Sequence, residues 1–403
     1  MDVQTSPAAV PAWQECLASV QVRVRRPEGR EALARSTTGL LTERPHTNGA
    51  TLAQAVPGTR AQRVQEFLTN MPGDAADRHR QRVQQLLAEA TTGDGVLVCD
   101  ETGFPTQGMA SVGVARQDAG PLGQVGHGQV AVTCCDTDPR ATWPVAVRLY
   151  LPHAWAQDPA RRQQARVPAE VPLQTTPEIA LARREHARAW GVPQRCVVAD
   201  ADEGDHPNVL MGLEARQAPY VVAGRTDVPV RRGHLASTPG WRAAERRQSV
   251  PRWPWRTMRW RRGTQGWWRQ KLVAGRGWRV TTDGHRHAGG LVGERAPQGP
   301  PEERTSCWSH LPHDTPLETL AGYAHRRQAI EPCHEEATGA LGWDQDQGRV
   351  WLGCHRHAVT VLLASSVLVW LEQRHRHTRQ GRRRDPVPPS AGPPAQNAAG
   401  GAS

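Results

Sequence analysis

Residues 95–103 read Gly95-Val96-Leu97-Val98-Cys99-Asp100-Glu101-Thr102-Gly103. An uninterrupted apolar run of this length reads as a buried strand. It delivers a carboxylate, Asp100, to the strand's end, where a sheet opens to solvent. Residues 195–202, Arg195-Cys196-Val197-Val198-Ala199-Asp200-Ala201-Asp202, repeat the design. Two such aspartates meet if their strands are neighbours, and paired acids hold divalent metal or do acid–base work. Each alone also serves as a helix cap or turn residue.

The flanking pattern gives the fold class. Strands are expected at 110–117, 129–135 and 143–151, separated by turn residues, so consecutive antiparallel pairing follows. Residues 152–176 are polar and proline-bearing and read as a loop with about one helical turn. A helix opens at Thr176-Pro177-Glu178, with proline in its first turn. The Asp200 strand follows, then a helix over 205–217 and a strand at Tyr220-Val221-Val222-Ala223. This order is mixed α/β. Ahead of it, residues 1–90 read as polar helices, among them 51–56, 61–70 and 74–90. They form either a packing bundle or a DNA-contacting region.

Residues 224–312 break the α/β order. Between Val221 and Gly290 stand sixteen Arg or Lys and three acids, with seven tryptophans: Trp241, Trp253, Trp255, Trp260, Trp267, Trp268 and Trp278. Interleaved bases and aromatics suit a surface that grips phosphates and stacks on bases. They equally suit a small β-rich insertion with a tryptophan core. Arg256, Arg259, Arg261, Trp260 and Lys271 are the candidate contacts. Helical pattern returns at Thr315-Pro316-Leu317-Glu318 and runs, with one interruption, to Leu341, followed by a segment from Val350 to His377. Arg327, Glu331, Glu335 and Thr338 share one face at helical spacing. Pro332, directly after Glu331, removes a helix hydrogen bond and is expected to kink or break the helix. Residues 378–403 are Arg-rich, then Pro/Ala/Gly-rich, a composition of disorder.

Whole-chain composition agrees. Over 403 residues the formal net charge is +11. The bases are arginines except Lys271, and arginine makes bidentate phosphate contacts. Fifteen tryptophans stand beside two phenylalanines. The eight cysteines form no Cys-x-x-Cys pair, and Cys99 and Cys196 lie within apolar strands. A reduced cytoplasm is expected rather than a disulfide framework. No basic segment followed by an apolar core opens the chain, and no apolar run reaches about 18 residues, so neither signal peptide nor membrane span is expected. Cys333-His334 and Cys354-His355-x-His357 supply zinc-type ligands at a spacing that matches no standard finger. His355, Arg356 and His357 are expected on a DNA-facing or exposed surface.

These segments together resemble a family, the DDE transposases of bacterial insertion sequences. The resemblance is carried in order by VLVCDETGFPTQGMASVGVARQ, WPVAVRLYLP, RCVVADADEGDHPN, WRTMRWRRGTQG, LPHDTPLETL and RRQAIEPCHEEATGALGWDQDQGRVWLGCHRH. It implies an RNase H-like mixed sheet flanked by helices, with a β-rich basic insertion (224–312) before the last catalytic helix. The other divisions are an N-terminal helical region (1–90), the first part of the core (91–223), C-terminal core helices (313–377) and a tail (378–403). It implies Asp100, Asp200 and Glu331 as catalytic and metal-binding triad for Mg²⁺ or Mn²⁺, two ions, with Arg327 touching the DNA backbone. Asp202 is the rival of Asp200. The implied reaction is cleavage and strand transfer at element ends, on double-stranded DNA, by a homodimer in the DNA complex; the implied place is the cytoplasm, at the nucleoid when bound to DNA. Departures are Thr338 and Thr106-Gln107, where the family carries lysines, and Gln328, where it carries tryptophan. A catalytically inactive transposase-derived DNA-binding protein, or a non-transposing nuclease of the same fold, would share the same scaffold.

Overall fold

The computed structural model describes residues 14, 15, 18, 26–42, 48–70, 75–89, 93–106, 108–118, 125–204, 206–224, 229–231, 240–242, 255–263, 266–281, 283–298, 304–346 and 348–382. Helices α1 (Pro27–Leu40), α2 (Gly49–Ala55), α3 (Ala61–Asn70) and α4 (Ala75–Glu89) open the chain. Strands β1 (Val96–Pro105), β2 (Ala115–Asp118), β3 (Val125–Thr137) and β4 (Thr142–Leu149) follow. Then come α5 (Thr176–Ala189), β5 (Val197–Ala199), α6 (Pro207–Ala215) and β6 (Tyr220–Ala223). α5 starts where it does because Thr175 and Glu178 form a reciprocal capping box with Pro177 just inside.

The central sheet runs β4-β3-β1-β5-β6. β4, β3 and β1 are antiparallel; β5 and β6 lie parallel to β1. That is an RNase H-like core, with helices on its faces. It differs from consecutive pairing: β1 skips β2 and pairs along its whole length with β3, and β2 caps only the far end of β3. The expected strand at 110–117 shrinks to Ala115–Asp118 for a physical reason. Val112 and Val114, which looked like strand alternation, are buried beside Leu149, Leu151 and Trp155, and the chain turns between them at Gly113 with φ +79°. The loop at 152–176 holds two short helices, His153–Ala156 and Pro159–Gln164.

Strands β7 (Pro229–Arg231), β8 (Gly240–Arg242), β9 (Arg256–Gly263), β10 (Gly266–Val280), β11 (Arg286–Arg295) and β12 (Arg304–Ser309) form the insertion. It joins the core edge to edge: Cys307, Trp308 and Ser309 of β12 pair with Ala223, Val222 and Val221 of β6. One sheet therefore extends from the core through β12, β11 and β10, with β9 hydrogen-bonded to β10.

The last helices complete the core. α7 (Leu317–Arg326) passes through a 3₁₀ turn (Arg327–Ala329) into α8 (Ile330–Glu335), then a π-helical segment (Glu336–Ala340). The helix is thus interrupted just ahead of Pro332, as expected: the 3₁₀ turn contains Gln328, whose carbonyl Pro332 cannot serve, and Pro332 itself lies in the first turn of α8. α9 (Trp351–Arg382) carries Val359, Val361, Leu362, Leu363, Ala364, Val367 and Trp370, all buried. Its stretch Trp351–Arg376 is long and apolar enough to cross a bilayer, yet 78% of its most apolar window is buried inside the protein, so it serves as a core helix. α1 and α3 rest on it through Leu33, Phe67 and Leu363. The helix also extends past Thr378 to Arg382, into the segment expected to be a tail; residues 383–403 lie outside those described.

Three expectations about side chains change. Arg356 and His357 are buried and His355 half-buried, because α9 lies between the N-terminal helices and the sheet. Arg356 donates to Leu68 O at 2.9 Å, and a His357 ring nitrogen lies 3.1 Å from Gly342 O. Among the described residues they form no metal site with Cys333 or Cys354. Cys99 and Cys134 are joined as a disulfide, since the β1–β3 register sets them directly opposite at a Cα separation of 4.2 Å. The tryptophan excess also finds a use. Trp143, Trp308 and Trp370 are among the largest fully buried side chains, the place phenylalanine fills in most cores.

Candidate active site

Register brings the two aspartates together. β1 and β5 pair Leu97 with Val197 and Val98 with Val198. Continued two residues, that register sets Asp100 beside Asp200, and the alternation of a strand points both to one face. β5 ends at Ala199, whereas β1 continues to Pro105 on its β3 side. Asp100 is therefore not a strand end. It is the point where β1 loses its parallel neighbour and one edge opens.

Asp200 begins a helical turn (Ala201–Gly204), and its Oδ1 accepts the backbone N–H of Glu203 at 3.0 Å, an N-cap. Asp100 Oδ1 accepts the N–H of Glu101 at 2.9 Å. Both aspartates line a cleft of about 1050 Å³ together with Glu101, Glu203, Arg327, Glu331, His334, Glu335 and Thr338. The face Arg327–Glu331–Glu335–Thr338 read on helical spacing thus faces this cleft, and a π segment carries its last member.

Arg327 spans the acids. One guanidinium nitrogen donates to Glu331 Oε1 at 3.0 Å, another to Asp200 Oδ2 at 3.4 Å. Glu331 is 57% exposed and stands on the outer side of this bridge. Among the described residues, one carboxylate oxygen from each of Asp100, Asp200 and Glu203 lie within 4.8 Å of one another. Glu203 was not a sequence candidate, although its position three residues after Asp200 was a legible signal. The side chain of Asp202 lies outside those described.

The electrostatics follow from burial. Asp100 is pushed up to about 6 by burial; Arg327 opposes the rise and Asp200 adds to it. Glu203 is pushed up to about 10 by burial and by a hydrogen bond and charge from Asp200. Buried carboxyls crowded with so little positive charge call for protons or a cation. Hard oxygen donors at this spacing fit a divalent ion such as Mg²⁺. His334 lies at the cleft wall, pushed down to about 4 by burial, with Nε2 2.7 Å from Thr133 Oγ1.

The remaining sequence candidates lie on the insertion. Arg256 and Arg259 are exposed on β9, and Lys271 is half-buried on β10, where it pairs with Thr257. Trp260 and Arg261 belong to β9, and their side chains lie outside those described. Trp255 packs under Arg295, whose guanidinium lies 4.8 Å from its ring centre. Thr338 donates to His334 O at 2.9 Å within its own helix; Thr106 donates its N–H to His127 O, and Gln107 is outside the described residues.

The chain belongs to the DDE superfamily endonucleases, whose family pattern matches residues 20–267, a stretch that holds Asp100, Asp200 and Glu203. It is 28% identical over 177 residues to the probable transposase for insertion sequence element IS701 of Microchaete diplosiphon, a match that spans 44% of this chain and 44% of that protein. Among solved structures it is similar to the piggyBac transposase synaptic complex with hairpin DNA, with TM-score 0.38 and 10% identity, over 98% of this chain and 86% of that one.

Proposed function

We infer that the protein is a transposase that cleaves DNA at insertion-sequence ends and joins the freed 3′ ends to target DNA, with Asp100, Asp200 and Glu331 as its catalytic carboxylates. The observation that carries this reading is the β1–β5 register, whose last pair, Val98 with Val198, lies two residues before both Asp100 and Asp200, so that its continuation sets the two side by side. Two Mg²⁺ or Mn²⁺ ions, when bound, supply the Lewis acidity that activates the attacking oxygen and stabilises the leaving one. Asp100 and Asp200 offer the oxygens that hold them. Glu331 faces the same cleft from α8 and would offer a third carboxylate once a phosphate had taken over the guanidinium of Arg327. The charge of +11 and the exposed arginines of β9 support a duplex DNA partner, double-stranded at element ends and target. Two ends must meet, so the working form is a homodimer on DNA, in the cytoplasm. The domain divisions at about 90, 223, 312 and 377 belong to the same reading.

The test is nicking of element-end DNA by the purified full chain. Mg²⁺- or Mn²⁺-dependent cleavage, abolished by Asp100→Ala, is expected. DNA binding that survives Asp100→Ala with no cleavage by either protein would replace this reading with that of an inactive DNA-binding scaffold.

A further inference from the structure

Glu203 has no part in the triad above, yet among the described residues it is the carboxylate that clusters with Asp100 and Asp200. The residue is 9% exposed and stands between the cleft and a small apolar cavity walled by Leu181, Val197, Ala199, Val209 and Leu213. Its Oε2 has no hydrogen-bond partner, and one of its oxygens lies within 4.8 Å of oxygens of both aspartates. The guanidinium of Arg327, the arginine of this cleft, goes to Asp200 and Glu331 instead. The turn that carries Glu203 cannot easily move it away. Asp200 accepts the backbone N–H of both Glu203 and Gly204, and a Cβ at Gly204 would stand 2.7 Å from Val222 Cβ and 3.0 Å from Ala223 O. The backbone is wedged against β6, with its carboxylate directed at the aspartates. A buried carboxyl fixed in this way either keeps a proton or pairs with a cation, and hard oxygen donors suit a divalent ion.

We propose that Glu203 completes, with Asp100 and Asp200, a divalent-cation site that fills in the DNA-free protein, and that Glu331, tied to Arg327, is not a ligand of that resting ion. The proposal rests on the reading of Asp100 and Asp200 as metal ligands. It differs from the triad in naming which third carboxylate holds the ion before DNA arrives.

The measurement is Mn²⁺ binding to the full chain without DNA, read from the loss of the free-ion electron paramagnetic resonance signal. Saturable binding is expected for the wild type. Glu203→Gln, nearly isosteric, is expected to weaken it at least tenfold, Glu203→Asp to recover part of it, and Glu331→Gln to change it less than twofold. Mn²⁺ should raise the melting temperature of the wild type but not of Glu203→Gln, which also verifies that the variant folds. Wild-type affinity in Glu203→Gln, an equal loss in Glu331→Gln, or no saturable binding in the wild type would each overturn the proposal. Failures of the two readings are separable. If Asp100→Asn loses Mn²⁺ and nicking while Glu203→Gln keeps both, only Glu203 is dismissed. If Mn²⁺ binds through Glu203 and end DNA is never cut, only the transposase reading is dismissed.

Discussion

His334 Nε2 lies 2.7 Å from Thr133 Oγ1, and that hydroxyl in turn donates to the backbone oxygen of Asp100 at 3.2 Å. With the hydroxyl proton committed to Asp100, the imidazole acts as donor, so Nε2 carries the hydrogen. The pair bolts the helix of Glu331 to the strand of Asp100. Its loss should loosen the site more than the fold: His334→Ala removes one hydrogen bond and Thr133→Val two, each worth about 1 kcal/mol. We expect nicking to fall about tenfold, with melting temperature lowered by only a few degrees. Since burial holds His334 neutral down to about pH 4, removing it should leave the pH profile of nicking between 5 and 8 unshifted. A shifted profile would mean the imidazole does proton work.

Asp100 sets the acid limb instead. With its carboxyl pushed up to about 6, a cation competes with a proton there, and metal-dependent nicking should decline as pH drops through about 6. Arg327 opposes that rise, so Arg327→Ala should move the limb to higher pH. The stability sign is the reverse of an ordinary ion-paired acid. The folded value lies above the ordinary 3.8, so between 3.8 and about 6 the folded state holds the extra proton, and this group's contribution to metal-free stability is lost as pH rises through that window. The melting-temperature advantage of Asp100→Asn over the wild type should therefore grow from pH 4 to pH 7 and shrink when Mg²⁺ is added. A pH-independent difference would contradict this.

On the insertion, Arg256 and Arg259 are exposed along β9. Phosphate contacts weaken binding to all sequences alike and steepen its salt dependence. The double variant Arg256→Ala/Arg259→Ala should bind duplex DNA more weakly, with the slope of log affinity against log salt reduced by about 2. Nicking of saturating DNA should change little. An unchanged slope would remove β9 from the interface.

A structural prediction concerns Arg82 of α4. It is buried and donates to Pro144 O, Val145 O and Ser366 Oγ at 2.6, 2.9 and 2.8 Å, joining α4 to β4 and α9. Arg82→Ala leaves those acceptors unserved and should cost about 3 kcal/mol, read as a lower melting temperature. Arg82→Lys should rescue little, because a single ammonium cannot match the planar fork.

The parts of this fold that show in the sequence are those whose signal is local. Val96–Cys99 and Val197–Ala199 announce buried strands by their apolar runs, and Tyr220–Ala223 and Ala61–Asn70 lie at the expected bounds. Pairing partners are not local. Nothing in the period of residues 110–117 says that β1 will choose β3, or that Val112 and Val114 will be buried in a loop. The same limit hid Glu203. Its spacing from Asp200 was visible, but its burial depends on residues the fold gathers round it from elsewhere, Leu181, Val197, Val209 and Leu213 among them. For His355, Arg356 and His357 polarity suggested surface, whereas α9 packs them against other elements: Arg356 meets Leu68 of α3, His355 the backbone of Leu149 on β4, and His357 Gly342 O.

The edge-to-edge union of β6 with β12 turns the sheet into a ruler. From β1, with Asp100, six neighbour steps lead through β5, β6, β12, β11 and β10 to β9, with Arg256 and Arg259. At about 4.8 Å per step the strand of Asp100 and the strand of these arginines are about 29 Å apart across the sheet. On a duplex rising 3.4 Å per base pair that is about eight base pairs, a spacing written into strand count rather than into any flexible linker.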